Sequence, residues 1–193
     1  MAMKFQYNKT TIQELSKQLT IRKKALPILK NKESALRLEV KNRQRQVTKA
    51  DNQRHELLTR INEYGGFWNE FPNILFIDDL DTGTETIVGV KVPEVRAIEF
   101  KLADISWSSY SAWIPAGIEL LKKAIVLDIR IDVLHRQIAA LDNARKKTTQ
   151  KVNLYEKVQI PEMDQAVLKI KRFLEDKENI AKAGQKIMKS RQA

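Results

Sequence analysis

The stretch that decides the fold is residues 12–61, IQELSKQLTIRKKALPILKNKESALRLEVKNRQRQVTKADNQRHELLTRI. Steps of alternately three and four residues from Ile12 meet an apolar side chain at twelve of sixteen positions. The positions are Ile12, Leu15, Leu19, Arg22, Leu26, Leu29, Glu33, Leu36, Val40, Arg43, Val47, Ala50, Arg54, Leu57, Ile61 and Tyr64. Such spacing, kept over many heptads, is typical of a left-handed supercoil seam. It predicts one helix of about fifty residues, roughly 75–80 Å long.

The ends of this first arm carry helix signals. Asn8, Thr10 and Thr11 are candidate N-caps, and Gly65 and Gly66 should end the helix. Pro27 lies inside the arm, where a proline removes one hydrogen bond and costs about 3 kcal/mol. We therefore expect a kink or a short break near residues 24–27.

A second seam begins after Gly117. Steps of four and three residues are apolar at nine of twelve positions, namely at Leu120, Ala124, Leu127, Ile131, Leu134, Ile138, Leu141, Arg145, Thr148, Val152, Tyr155 and Gln159. Beyond Pro161 the seam resumes at Met163, Val167, Ile170, Leu174 and Ala181. Gln159 and Met163 are four residues apart where the alternation allows three, so the register slips by one residue. A kink at the proline would absorb this slip.

The two arms and the segment between them predict a mainly α fold. We expect a long antiparallel two-helix coiled coil with a small β-hairpin in the middle. The divisions are an N-terminal helix over residues 1–64, a middle segment over 65–116 and a C-terminal helix over 117–193. Their net charges are +9, −5 and +7, which account for the chain's +11. The charged seam residues Arg22, Glu33, Arg43, Arg54 and Arg145 either snorkel or face a third element, or lie at the solvated edge of the seam.

The middle segment holds two β-prone stretches, residues 86–92 and 95–100, on either side of Pro93 and Glu94. We interpret them as a hairpin or a small sheet that must pack on the helices or on a partner, because an isolated hairpin is marginal in water. Residues 78–83 resemble a turn. Trp68, Trp107 and Trp113 should pack where the arms meet the middle segment, with a partner interface as the alternative.

No constellation for catalysis is present. The chain has no cysteine, neither glycine-rich phosphate-binding loop, and only two isolated histidines, His55 and His135. The acidic residues Asp78, Asp79 and Asp81 lack the ligand spacing of an EF-hand and favour a solvated turn. No apolar run is long enough to span a bilayer as a helix, and the N-terminus lacks a signal-peptide core. We therefore predict a chain that is not catalytic by itself and has no cofactor or metal.

Four segments together resemble the D subunit of V-type (vacuolar and archaeal-type) ATPases. The most specific is KVNLYEKVQIP at residues 151–161, which is similar to that family's R-V-N-A-L-E-x-x-x-I-P. IKRFLEDKE at 170–178, LKNKESAL at 29–36 and VGVKVP at 88–93 match weaker family patterns in the right order. Departures are Lys151 for arginine, Leu154-Tyr155 for Ala-Leu, and Pro27 within the first helix.

The resemblance implies the central rotor shaft, which couples ATP hydrolysis or synthesis in a catalytic head to ion transport. The partners it implies are the A- and B-type head subunits, the small F subunit of the central stalk and a funnel-shaped subunit on the membrane ring. It implies no nucleic acid and no membrane insertion, and a cytoplasmic position at the membrane periphery. The alternative from the residues alone is a basic coiled-coil adaptor that binds nucleic acid or acidic partners.

Two residue sets are candidate contacts. We expect basic residues near the termini to face the inside of the head, although they could be merely solvated: Lys4, Lys9, Arg22, Lys23, Lys24, Lys182, Lys186, Lys189 and Arg191. We expect hairpin residues to form a partner or regulatory contact: Thr86, Val88, Val90, Val92, Arg96, Ile98 and Phe100.

Overall fold

The computed structural model describes residues 5–63, 65–103 and 111–192. The elements are α1 (Lys9–Glu63), a short 3₁₀ helix (Gly65–Glu70), β1 (Leu75–Ile87), β2 (Val90–Leu102), α2 (Ile114–Leu154), a π-helical turn (Tyr155–Gln159) and α3 (Ile160–Gln192). The strands form one antiparallel hairpin. The predicted fold class, mainly α with two long arms and a small hairpin between them, is confirmed.

The chain forms two units. The terminal unit contains residues 1–33 and 147–193, and the central unit contains residues 34–146. In each unit the first arm runs antiparallel to the second. Among the described seam positions, only Arg54 in the first arm and Ala181 in the second are exposed. The heptad pattern therefore identified the buried faces correctly.

In the terminal unit, α1 packs against α3. Its N-terminus is capped by Asn8, whose Oδ1 accepts the backbone N–H of Thr11 at 2.7 Å, as the sequence predicted. The core of this unit consists of Leu15, Met163, Ala166 and Ile170, with Ile12, Leu19, Val167 and Leu174 packed around it.

Of the kink or short break expected near Pro27, the break is wrong, because α1 continues through it without interruption; the kink stays a prediction. A helical φ suits proline, so the chain loses only one backbone hydrogen bond there, and buried contacts lie on both sides. The slip in the second arm is absorbed by the π-helical turn. Its i→i−5 hydrogen bond, from the Ile160 N–H to the Tyr155 carbonyl, accommodates one extra residue in the helix. Pro161 follows this turn as the second residue of α3.

In the central unit, the hairpin packs on α1 and α2. One cluster joins Leu36, Val40, Ile87, Val92 and Leu141, and Leu36, Val92 and Leu141 are fully buried. An antiparallel hairpin buries one face of each strand, so these side chains form a third layer on the helix pair. This contact supplies the packing that a two-stranded sheet needs.

The hairpin turn lies at Val88 and Gly89, not at Pro93 and Glu94 as predicted. Both turn residues have positive φ, 50° and 71°, as a two-residue type I′ turn requires. Gly89 meets this requirement at no cost, whereas a β-branched valine is strained there. Pro93 lies within β2 opposite Thr84, a position that a two-stranded sheet tolerates because each strand has an open edge.

The stretch predicted as a turn at residues 78–83 is part of β1 instead. A bulge at Asp78 accommodates it, since Ile77 and Asp79 pair with the consecutive residues Phe100 and Glu99. A second bulge places Arg96 as the extra residue of β2.

An aromatic cluster forms where α1, the hairpin and α2 meet. Trp68 and Trp113 contact edge to face at 5.4 Å, and the Trp68 Nε1–H donates to the Ile61 carbonyl at 2.6 Å. The predicted packing role of these two tryptophans is confirmed, while Trp107 lies outside the described residues. The second helix begins at Ile114 rather than after Gly117, because a proline such as the one at 115 is favoured in a first helical turn. A Cβ at residue 117 would lie 3.0 Å from the Trp113 ring.

Candidate interaction surfaces

The five charged seam residues all have partners. Arg43 reaches a third element, with one guanidinium nitrogen 3.7 Å from the Glu85 carboxylate of β1. Arg22 spans the terminal seam: its Nε–H donates to Gln159 Oε1 at 2.7 Å, and its guanidinium lies over the Tyr155 ring. Arg43 thus confirms the interpretation that a charged seam residue can face an element outside the two arms.

The other three charged seam residues pair across the seam or along one helix. Arg54 pairs with Asp128 at 2.6 Å, and Glu33 accepts a hydrogen bond from the Thr149 hydroxyl. Arg145 pairs with Asp142 on its own helix at 2.7 Å. Hydrogen bonds from Arg145 and then Lys146 lower the pKa of Asp142.

Three of the predicted basic head contacts have partners within this chain. Arg22 is engaged as described, and Lys23 pairs with Asp164 at 3.0 Å. Lys182 pairs with Glu178 on its own helix and, through that hydrogen bond, lowers the pKa of Glu178. Lys23 and Lys182 remain exposed despite these pairs, as do Lys9, Lys24, Lys186, Lys189 and Arg191, whereas Lys4 lies outside the described residues. The head contact itself stays a prediction.

The end of α3 also carries apolar side chains that the sequence analysis did not select. Every residue from Glu175 to Arg191 is exposed. Ile180, Ile187 and Met188 are 73%, 55% and 64% exposed. A helical-wheel reading of residues 180–188 would have found them, because these side chains and Gly184 are spaced three or four residues apart. The seam search missed Met188 because it ended at Ala181, and it missed Ile180 and Ile187 because they lie out of register with Leu174.

The hairpin residues selected from the sequence lie on two faces. Val92 is fully buried, and Val88 and Val90 pack against the same cluster. Ile98 and Phe100 are half-buried, while Thr86 and Arg96 are exposed. The three valines thus anchor the hairpin to the helices. A partner would meet Thr86 and Arg96 first.

The described residues hold no group of three or more histidine and acidic side chains that could bind a metal ion. None of the helices in the described ranges is long and apolar enough to cross a membrane. Asp78, Asp79 and Asp81 are all exposed along β1.

Comparison with known proteins gives one consistent result. A family model that describes the D subunit of ATP synthase matches residues 11–190. The chain is 28% identical over 192 residues to the V-type ATP synthase D subunit of Borreliella burgdorferi, covering 97% of this chain and 94% of the relative. It is 27% identical to the protein of the same name from Chlamydia pneumoniae, covering 83% of this chain and 79% of that protein. With the Chlamydia trachomatis protein it shares 24% identity, at 83% and 81% coverage.

Proposed function

Because the chain belongs to the family of ATP synthase D subunits, we propose that it is the central rotor shaft of a V-type ATPase. Members of this family are structural subunits and not catalytic ones, which agrees with the prediction from the sequence. As the shaft, the chain couples ATP hydrolysis or synthesis in the head to ion transport across the membrane. It works in the cytoplasm at the membrane periphery.

The observation that carries the proposal is the length of α1 and its pairing. This helix has 55 residues without interruption, which at ~1.5 Å per residue gives roughly 80 Å. In each unit its seam is buried against the second arm. Two supercoiled helices resist twisting and bending better than one, which suits transmission of torque.

We propose that the partners are the A- and B-type head subunits, the small F subunit and the funnel-shaped subunit. The exposed cations Lys24, Lys186, Lys189 and Arg191 face the head. Exposed charges in water form weak, salt-screened contacts, so such a surface can slide past its neighbours during rotation. On the hairpin, the side exposing Thr86 seats the F subunit or modulates the ATPase rate.

Native mass spectrometry of the chain mixed with head subunits and the F subunit tests the assembly. The expected complex has one copy of this chain and one F subunit for each six-subunit head. A discrete homodimer that joins no head would overturn the shaft proposal.

Coupling is tested separately in the assembled enzyme. Replacing Lys186, Lys189 and Arg191 with alanine should reduce ATP-driven ion transport, while Arg136→Ala, on the central unit, should not. Equal transport by both variants would contradict the head contact. A Thr86→Glu variant with an unchanged ATPase rate and unchanged affinity for the F subunit would contradict the role of the hairpin.

A further inference from the structure

A cleft of about 520 Å³ lies in the central unit between β2 and α2. Its apolar wall includes Ile98 of β2 and Val126, Ile129 and Val133 of α2. Val126 is 40% exposed, so part of this wall faces solvent. Neither the seam nor the hairpin core uses these wall residues.

Gln137 lines one end of the cleft and is only 4% exposed. Its Nε2–H donates to the Pro93 carbonyl at 2.7 Å, which fixes the orientation of the amide because that carbonyl requires a donor. The Oε1 atom is buried and has no hydrogen-bond partner within the described residues. A buried acceptor left unpaired costs free energy. A side-chain shift that opens this end of the cleft would let it accept a hydrogen bond from a ligand's N–H or O–H group.

The charges along the cleft leave one cation available. Arg43 faces Glu85 at 3.7 Å, and Arg96 faces Glu94 at 3.9 Å, so both carboxylates have cationic neighbours. Arg130 is exposed at the cleft and makes no ion pair in the described part of the chain. It lies seven residues before Gln137 on α2, a rise of about 10 Å on the same helix face. The cleft therefore suits a ligand that carries a negative group as well as a hydrogen-bond donor.

We propose that this cleft binds a short extended segment of a partner protein. The acidic side chain of the segment meets Arg130, and its apolar side chains cover Val126 and Ile129. Binding shifts the side chains at the end of the cleft, so that a backbone N–H of the segment reaches Gln137 Oε1. From Val126 to Gln137 the helix rises about 16 Å, which five extended residues span. The inference rests on the proposed function only in that an ATPase complex supplies the partner.

The segment is recognised through side chains rather than by addition of a strand. Pro93 has no N–H to offer at the edge of β2, and the bulge at Arg96 interrupts the ladder three residues later. Both features oppose pairing with another strand. Specificity therefore comes from Gln137, Arg130 and the apolar wall.

The test uses the ATPase complex reconstituted without this chain, to which the labelled full chain is added. Arg130→Glu should weaken binding at least tenfold. The matched control Arg136→Glu changes an exposed arginine of the same helix that does not line the cleft, and should stay within about twofold. Hydrogen exchange at residues 94–98 should slow in the assembled complex. The inference is overturned if Arg130→Glu assembles with unchanged affinity and hydrogen exchange at residues 94–98 is also unchanged. The cleft would then hold only water, while the shaft proposal would stand.

If the wild-type chain joins no complex, the shaft proposal fails and a peptide decides the inference. The probe is the blocked pentapeptide Val-Asp-Val-Asp-Val. Its binding to the free chain is detected by NMR as chemical-shift changes of the Gln137 side-chain amide signals. Saturable chemical-shift changes would support the inference if they disappear in Arg130→Glu. The same peptide with lysine in place of aspartate should not produce them. Absence of such shifts would overturn it.

Discussion

Deletion of Val158 should remove the π-helical turn and leave the terminal unit folded. Val158 is exposed and lies within the turn, which accommodates one residue more than the heptad alternation allows. After the deletion Tyr155 and Met163 are seven residues apart, so the register of α3 is kept in an ordinary α-helix. Ile160 then takes the seam position that Gln159 now occupies.

The expected energy change is small because a gain and a loss nearly cancel. The variant loses the hydrogen bond from Arg22 to Gln159 and gains burial of Ile160, which is half-buried in the wild type. A part-buried charged hydrogen bond contributes about 1.5 kcal/mol, and further burial of an isoleucine about 1 kcal/mol. The free energy of unfolding should therefore stay within about 1.5 kcal/mol of the wild type.

Deletion of Lys169 is the matched control. It also removes one exposed residue, but no π turn follows it to restore the register. The fully buried Ile170 and the half-buried Leu174 would leave the seam, at a cost of about 3 kcal/mol or more. Thermal unfolding followed by far-UV circular dichroism measures both variants, and the control should melt roughly 6–12 °C lower. An equal loss in the Val158 deletion would refute the interpretation of the turn as an absorbed insertion.

Three further predictions concern the central unit. Leu36→Ala should lower the free energy of unfolding by about 2–5 kcal/mol, measured with denaturant. The control Leu38→Ala, at a 57% exposed position of the same helix, should lower it by less than about 0.5 kcal/mol. Similar losses in both variants would show that the seam has been assigned to the wrong face. Asp142 has a lowered pKa in the folded state, so its stabilising effect is present above about pH 4 and is lost as the pH falls through the folded-state pKa. In thermal melts at several pH values, Asp142→Asn should therefore reduce the loss of stability at acid pH. An unchanged loss at acid pH would contradict this prediction. Trp68→Phe should cost about 1 kcal/mol through loss of the hydrogen bond to Ile61, and an unchanged unfolding midpoint would show that water replaces that bond.

The sequence predicted the parts of the fold that depend on periodicity. The seam positions follow from heptad spacing alone, because each turn of a coiled coil repeats the same burial requirement. The one-residue slip between Gln159 and Met163 was likewise visible, and the structure places a π-helical turn beside it. The family resemblance carried by residues 151–161 is confirmed by the family model and the relatives.

The hairpin was harder to predict because its turn breaks the usual residue preferences. Pro93 and Glu94 have the composition of a turn, yet the turn forms at Val88 and Gly89. That register places Ile87 and Val92 against Leu36, so burial in the central core outweighs the strain at Val88. Local preferences cannot reveal such a choice, because the contact joins residues about fifty positions apart.

The candidate surfaces show a similar limit. Composition identified the basic residues, but it could not tell that Arg22 and Lys23 have partners across the terminal seam while Lys24 has none among the described residues. The cleft at Gln137 was not foreseen at all, since its unpaired oxygen depends on how β2 approaches α2.

The division of the chain into units has a consequence for the order of folding. The central unit is one continuous stretch, residues 34–146, whereas the terminal unit joins two stretches separated by that whole segment. Forming the terminal seam from an unfolded chain would close a loop of about 110 residues, with the entropy cost that such closure carries. Once Leu36 and Leu141 are packed together in the central unit, most of that closure cost has been met, and the terminal seam can form at a lower entropy cost. Loop-closure entropy thus favours nucleation in the segment that contains the hairpin, with the terminal seam formed afterwards.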